Sequence, residues 1–185
     1  MLIQVETTPN PAALKFLPGE ILAEHGGVDF VSADAARAAP LAARLFSVSG
    51  VARVYIGHDF VSVTRAADAS WSDLRTPVLQ ALQSHFESGD AHLADDGGPA
   101  ETVDVAPEDV ETVSRIREVL DTRIRPAVAQ DGGDITFHAF ERGTVYLRMQ
   151  GACAGCPSSD MTLNMGIETL LRHYIPEVDS VRAVG

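Results

Sequence analysis

Cysteine is almost absent from this chain of 185 residues: there are two, Cys153 and Cys156, three positions apart. Two cysteines build no disulfide framework at this size, and a bridge between them would close almost no loop. Lysine is scarcer still, with Lys15 alone among 14 basic residues. Acids outnumber bases 26 to 14, for a formal net charge of −12, and no basic patch gathers in either half. That balance excludes nucleic-acid phosphates and an anionic membrane surface as main partners, since both need clustered cations. No apolar run approaches the roughly 18 residues that span a bilayer. The start, Met1 to Glu6, has neither a basic region followed by an apolar stretch nor an Arg-rich amphipathic presequence. A cytoplasmic protein with no membrane partner is expected. A Ser/His/Asp set, a phosphate-binding P-loop and a dinucleotide fingerprint are all lacking.

What is present suffices for two small cores. Hydrophobic residues make up 45% and charged residues 22%, ordinary for a soluble protein. The fold class expected is α+β: two small α+β domains, residues 1–87 and 108–185, joined by a flexible acidic linker at 88–107. That linker carries five acids, no Lys or Arg and no apolar period, so it cannot bury enough surface to offset chain ordering. As a coil it would span about 25 Å. In the first domain, Leu2–Glu6 and Leu14–Leu17 read as strands around a Thr8-Pro9-Asn10-Pro11 turn, with a short helix after Pro40. A hairpin across Gly57-His58-Asp59 follows, then a helix from Ser70 or Ser72 to about Phe86. The histidines at 25, 58, 85 and 92 read as loop or surface residues, His138 as a packed or surface strand residue, and His173 as a complement to a helix end.

In the second domain, an apolar stripe of Val110, Val113, Ile116, Leu120 and Ile124 predicts a helix that Pro126 interrupts. Asp131-Gly132-Gly133-Asp134 reads as a tight turn. Strands over Ile135–Phe140 and Thr144–Gln150 flank a loop at Glu141-Arg142-Gly143. A cysteine loop, a helix from about Pro157 and a strand over Val178–Val184 complete the order α-β-β-(CxxC)-α-β. Ser158 and Ser159 are candidates to satisfy that helix's first amides.

The chemistry lies in Gly151-Ala152-Cys153-Ala154-Gly155-Cys156-Pro157, between a strand end and a helix start. Three-residue spacing brings two sulfurs to one side of a loop, where they can bind one metal centre. Cys156 at a helix N-terminus is expected to titrate below a free thiol. Zinc sites and iron–sulfur clusters take four protein ligands, and this chain has no further cysteine. Two copies supply four, which suggests a centre shared across a homodimer, exposed and labile. The alternative is a dithiol: C-x-x-C is also the thiol–disulfide oxidoreductase motif of thioredoxin-like folds. Against it, no aromatic precedes the first cysteine, and the order of elements does not suggest a parallel βαβ core. Two unremarkable cysteines remain a third reading.

The stretch from Arg125 to Val184 resembles the NifU C-terminal, or Nfu-type, iron–sulfur carrier domain. The matching residues are Arg125-Pro126, Asp131-Gly132-Gly133-Asp134-Ile135, Val145-Tyr146-Leu147, the cysteine loop through Ser159, Thr162-Leu163, Gly166-Ile167-Glu168 and Ile175-Pro176-Glu177-Val178. The first half is similar to the N-terminal domain of the two-domain form, through Thr8-Pro9-Asn10-Pro11, Leu14 to Gly19, Pro40-Leu41-Ala42, Leu45-Phe46, Gly50-Val51 and the Trp71 helix. The resemblance implies that Cys153 and Cys156, with the same pair from a second protomer, ligate a [4Fe–4S] cluster, with [2Fe–2S] possible from four thiolates. One cluster per homodimer would arrive from an upstream assembly scaffold and pass to apo iron–sulfur client proteins. It implies a carrier and not an enzyme. Asn164 and Met165 depart from the family pattern, which has a basic residue near there.

Overall fold

Strands β1 (Gln4–Thr7) and β2 (Ala13–Leu17) fold back on each other around the two prolines, which cannot donate to a ladder. Thr8 closes this turn by donating its hydroxyl to the carbonyls of Asn10 (2.8 Å) and Ala13 (3.0 Å). With β3 (Val28–Phe30), β4 (Val51–Ile56) and β5 (Val61–Arg65) they form a five-stranded sheet of order β1-β2-β5-β4-β3, antiparallel at every pairing. The computed structural model describes residues 2–94, 103–156 and 159–184. Helices α1 (Pro40–Phe46) and α2 (Trp71–Ser88) contribute Leu41, Leu45, Val78 and Leu82 to a core shared with Phe16, Val54, Ile56, Val61 and Val63. Ser70 caps α2 by accepting from the Ser72 amide, and Gly89 ends it at φ +70°.

Two readings of this half need correction. His85 is not a surface residue: it is fully buried on the same stripe of α2 as Leu74, Val78 and Leu82, facing His92 at 3.0 Å. Helical spacing placed it inward, and a second imidazole gave it a polar partner there. The segment after α2, expected to begin the linker, instead stays on the first core through Ala94. Leu93 is buried in that core, and the Ala94 amide donates to the Ala38 carbonyl at 3.1 Å. A single leucine in an acidic stretch is a weak signal by composition but enough for a local anchor. Residues 95–102 of the expected linker lie outside the described residues.

The second half begins with a long helical run: α3 (Val110–Val119), a wide π turn at Leu120–Ile124, and α4 (Arg125–Gln130). Pro126 does not interrupt it. Proline lacks an amide and crowds the carbonyl four residues back. Here the chain widens just ahead of it, with the Arg125 amide donating to the Leu120 carbonyl five residues earlier. The helix therefore continues and keeps Ile116, Leu120, Ile124 and Val128 in one core.

Strands β6 (Gly133–Glu141) and β7 (Thr144–Gly151) form a hairpin whose two-residue turn has Arg142 at φ +48° and Gly143 at φ +81°. Alternate residues Val145, Leu147 and Met149 of β7 enter the core. Helix α5 (Ser159–Tyr174) then crosses to β8 (Ser180–Val184), which pairs with β7 in parallel, Val145 opposite Val181. A parallel βαβ unit, which the order of elements was not expected to give, is thus present around the cysteine loop. Element order alone does not say which edge a last strand joins. This sheet has order β6-β7-β8.

Hydrogen bonds join the two halves beside the cysteine loop. Tyr55 of β4 donates to Asp134 (2.9 Å), and Ser62 of β5 donates to the Gly132 carbonyl. Lys15 reaches the Gln130 carbonyl (3.3 Å), and the Asn10 side chain donates to the Ala152 carbonyl (3.2 Å). Among the described residues the two apolar cores share none.

Candidate functional site

The cysteine loop leaves β7 through Gly151, whose φ of +61° is the left-handed conformation glycine adopts freely. Gly151 stands opposite Gly133 in the β6–β7 ladder, and the Ala152 amide donates to the Gly132 carbonyl (3.1 Å). This pairing ties the loop to the Asp131–Asp134 turn. At Gly133 the close approach is obligatory: a Cβ there would lie 2.2 Å from the Cys153 Sγ. The diglycine turn is therefore the seat of the first thiol, a role that reading it as a turn did not assign.

Both sulfurs belong to buried residues, Cys153 at 6% exposure and Cys156 at 1%. The expectation of an exposed site is overturned, because the Pro9–Asn10 turn of the first half lies on the loop. The Cys156 Sγ points to the Pro9 carbonyl at 3.7 Å. Burial, aided by the carboxylates of Asp131 and Asp134 and then by Cys156, pushes the Cys153 thiol up to about 12. Helix α5 is assigned from Ser159, and the expected roles of Pro157 and Ser158 at its start, with the Ser159 side chain, lie outside the described residues.

The two cysteines share one wall of a cavity of about 390 Å³. Its other walls are mostly apolar, from Ile124 and Val128 on the long helix and Leu163, Ile167 and Leu170 on α5. Among the described residues, no group of three or more His, Cys, Asp or Glu side chains is placed to hold a metal ion. One chain offers two soft sulfur donors, half of what a tetrahedral zinc or a cluster takes. Behind the loop, Asp134 is buried and accepts from Arg125 Nε (2.8 Å) and a second guanidinium nitrogen (3.0 Å) as well as from Tyr55. Its hydrogen bonds raise the Arg125 guanidinium, while burial first and Asp134 second push the Tyr55 phenol up. In the sequence Arg125 stands out only through the resemblance and Asp134 through that and a turn; their pairing needed the fold. On the outer side of α5, Met161 and Met165 stand exposed.

Comparison with known proteins decides the family. The domain family described as NifU-like domain matches residues 116–182, and that described as Scaffold protein Nfu/NifU N terminal matches residues 3–89. NifU-like protein 5, mitochondrial, of Arabidopsis thaliana is 45% identical over 98% of this chain and 67% of its own length. This chain belongs to the Nfu family of NifU-like proteins. Two further family members are NifU-like protein 4, mitochondrial, of Arabidopsis thaliana, 46% identical over 98% of the chain, and the NFU1 iron-sulfur cluster scaffold homolog, mitochondrial, of Drosophila persimilis, 45% identical over all of it. The chain spans 65% of the length of each of these two. Among solved structures, the solution NMR structure of a NifU-like protein from Saccharomyces cerevisiae matches 51% of this chain and 86% of its own, at 22% identity and a TM-score of 0.46. The mitochondrial names of these Nfu relatives overturn the expectation of a cytoplasmic protein. That expectation rested on the lack of a membrane-spanning run and of a leader pattern. Among the described residues no helix is long and apolar enough to cross a membrane.

Proposed function

We propose that this protein is an iron–sulfur cluster carrier and not an enzyme. Cys153 and Cys156, with the same pair from a second copy, hold a [4Fe–4S] cluster as cargo and deliver it to apo-proteins. What supports the reading is one loop with two sulfurs on a mostly apolar cavity and, among the described residues, no third ligand grouped with them, in a chain whose relatives include proteins named iron-sulfur cluster scaffold. Two thiolates per chain leave a cluster half ligated, so the complete site needs a twin. Residues 108–185 would be the cluster-binding domain and residues 1–87 a domain that positions clients or tunes affinity.

Delivery proceeds by ligand exchange. An incoming client thiol gives up its proton, its sulfur bonds to iron, and the bond from Cys153 or Cys156 breaks, with the departing thiolate taking a proton. Repeating this at each cysteine moves the cargo with no change of redox state. The apolar cavity walls keep water from competing for iron during the exchange.

The test is anaerobic reconstitution with iron and sulfide, read by absorption, iron and sulfide content, and mass in solution. The expected result is about four irons per two chains, lost in Cys153→Ala and Cys156→Ala. A cluster-loaded species of single-chain mass would overturn it. One observation favours a second reading: the cysteine loop sits between β7 and α5 of a parallel βαβ unit, as a dithiol oxidoreductase motif would. Disulfide reductase activity with a reversible two-electron couple on the metal-free chain would establish that instead, and metal analysis separates a zinc-linked dimer.

A further inference from the structure

We propose that the first half of the chain is a latch on the cysteine loop. In this closed arrangement its Pro9–Asn10 turn, with Tyr55 and Ser62 beside it, takes the place a second copy must reach, so the two halves must part before cargo is loaded. The inference rests on the cluster reading above and adds its control.

The occlusion is direct. Cys156 is 1% exposed, with the Pro9 carbonyl 3.7 Å from its sulfur, and Pro9 also lines the cavity that both cysteines share. A centre bridging two copies needs all four sulfurs within bonding distance of iron, about 2.3 Å for a metal–thiolate bond. A sulfur held against the Pro9 carbonyl of its own chain, as that of Cys156 is, does not meet that condition.

The latch reads the backbone of the loop region. Asn10 binds the Ala152 carbonyl, Ser62 the Gly132 carbonyl and Lys15 the Gln130 carbonyl, while Tyr55 binds Asp134. Glycine makes the approach possible: a Cβ at Gly132 would lie 2.8 Å from Ser62 Oγ, and one at Gly151 would lie 3.2 Å from the Tyr55 ring. Asn10, Lys15, Gly132 and Gly151 belong to stretches of the resemblance while Tyr55 and Ser62 do not, and their common target becomes visible only when the halves are docked.

Opening is compatible with both folds. Among the described residues the two cores share none, and the named contacts are hydrogen bonds that water can replace. Asp134 keeps Arg125 when Tyr55 leaves. A polar contact between self-sufficient units is the kind that opens and closes.

The experiment uses the full metal-free chain and two substitutions that leave both cysteines in place, Tyr55→Phe and Ser62→Ala, singly and together. The readout is the rate of iodoacetamide alkylation at fixed pH, compared with the same chain in urea, with thermal melting to verify folding. Wild type is expected to react far more slowly than the unfolded chain. The double variant should react about tenfold faster than wild type, the size expected for losing two hydrogen bonds, and should load cluster faster in proportion. If the double variant does not fold, Ser62→Ala alone carries the test through a smaller rise. Wild-type alkylation as fast as in urea, or rates that neither folded variant changes, would overturn the latch. Alkylation involves no cluster, so a responsive latch with no cluster loading would sink the carrier reading alone.

Discussion

The Tyr55 hydroxyl, on a middle strand of the first sheet, donates at 2.9 Å to the Asp134 carboxylate at the start of the second, 79 positions away. Asp134 is already clasped by Arg125 beneath the cysteine loop. One carboxylate therefore ties together the long helix, the loop seat and the docked first half.

Asp134→Asn should weaken the second half more than Tyr55→Phe does. It strips Arg125 of its buried partner while leaving Asp121 at 3.0 Å as a partial substitute. Loss of one member of a buried pair costs about 3–5 kcal/mol, and the remaining exposed partner reduces this to about 2 kcal/mol. Urea denaturation would measure it, and an unchanged midpoint would show that the pair contributes nothing.

Two glycine substitutions should act in opposite directions. Gly133→Ala drives a methyl into the Cys153 sulfur, and is expected to cost about 1–3 kcal/mol and to displace the thiol enough to impair metal loading. Gly166→Ala, in α5 with open space at its Cβ position, should stabilise by about 0.5–1 kcal/mol through helix propensity. Thermal melting of the pair tests both.

Stability should fall in mild acid because of His85. Burial foremost, then the neighbouring His92 and Arg44, hold its imidazole down to about 4, below the 6.5 of an unfolded histidine. Below about pH 6.5 the unfolded chain takes up a proton that the folded chain refuses until near 4. The contribution is therefore whole above 6.5 and drains away as pH drops toward 4. Urea midpoints at pH 7.5 and 5 should differ less in His85→Gln than in wild type.

Leu93→Ala should loosen the segment after α2. Leu93 is 9% exposed within the first core, and a buried Leu→Ala change costs about 2–5 kcal/mol, toward the lower end here at the core's margin. Faster proteolysis near residues 88–94, with the rest of the first half intact, is the expected sign; an unaltered digestion pattern would contradict the anchor.

Short-range pattern was enough for much of this molecule. Alternation in Val145, Leu147 and Met149 marked a half-buried strand, and the Leu74, Val78, Leu82 spacing marked a helix, because side-chain period follows directly from backbone geometry. His85 proved to share that inward stripe, although it read as a surface residue from its polarity. The cysteine pair and its loop were legible for the same local reason, and so was the arithmetic that two sulfurs leave a metal centre incomplete. Pro126 misled, since a proline's effect depends on whether the preceding turn can widen.

By itself, then, the sequence determined the two α+β units, the order of elements around the cysteine loop and the shortage of ligands, all consequences of spacing within a few residues. Only the tertiary structure decided that β8 joins β7 in parallel, that Gly133 seats Cys153, and that Pro9, Asn10, Tyr55 and Ser62 converge on the cysteine loop and the diglycine turn tied to it. Those contacts link positions from 20 to nearly 150 residues apart, and such partners are selected by how two finished surfaces fit, which no local period encodes.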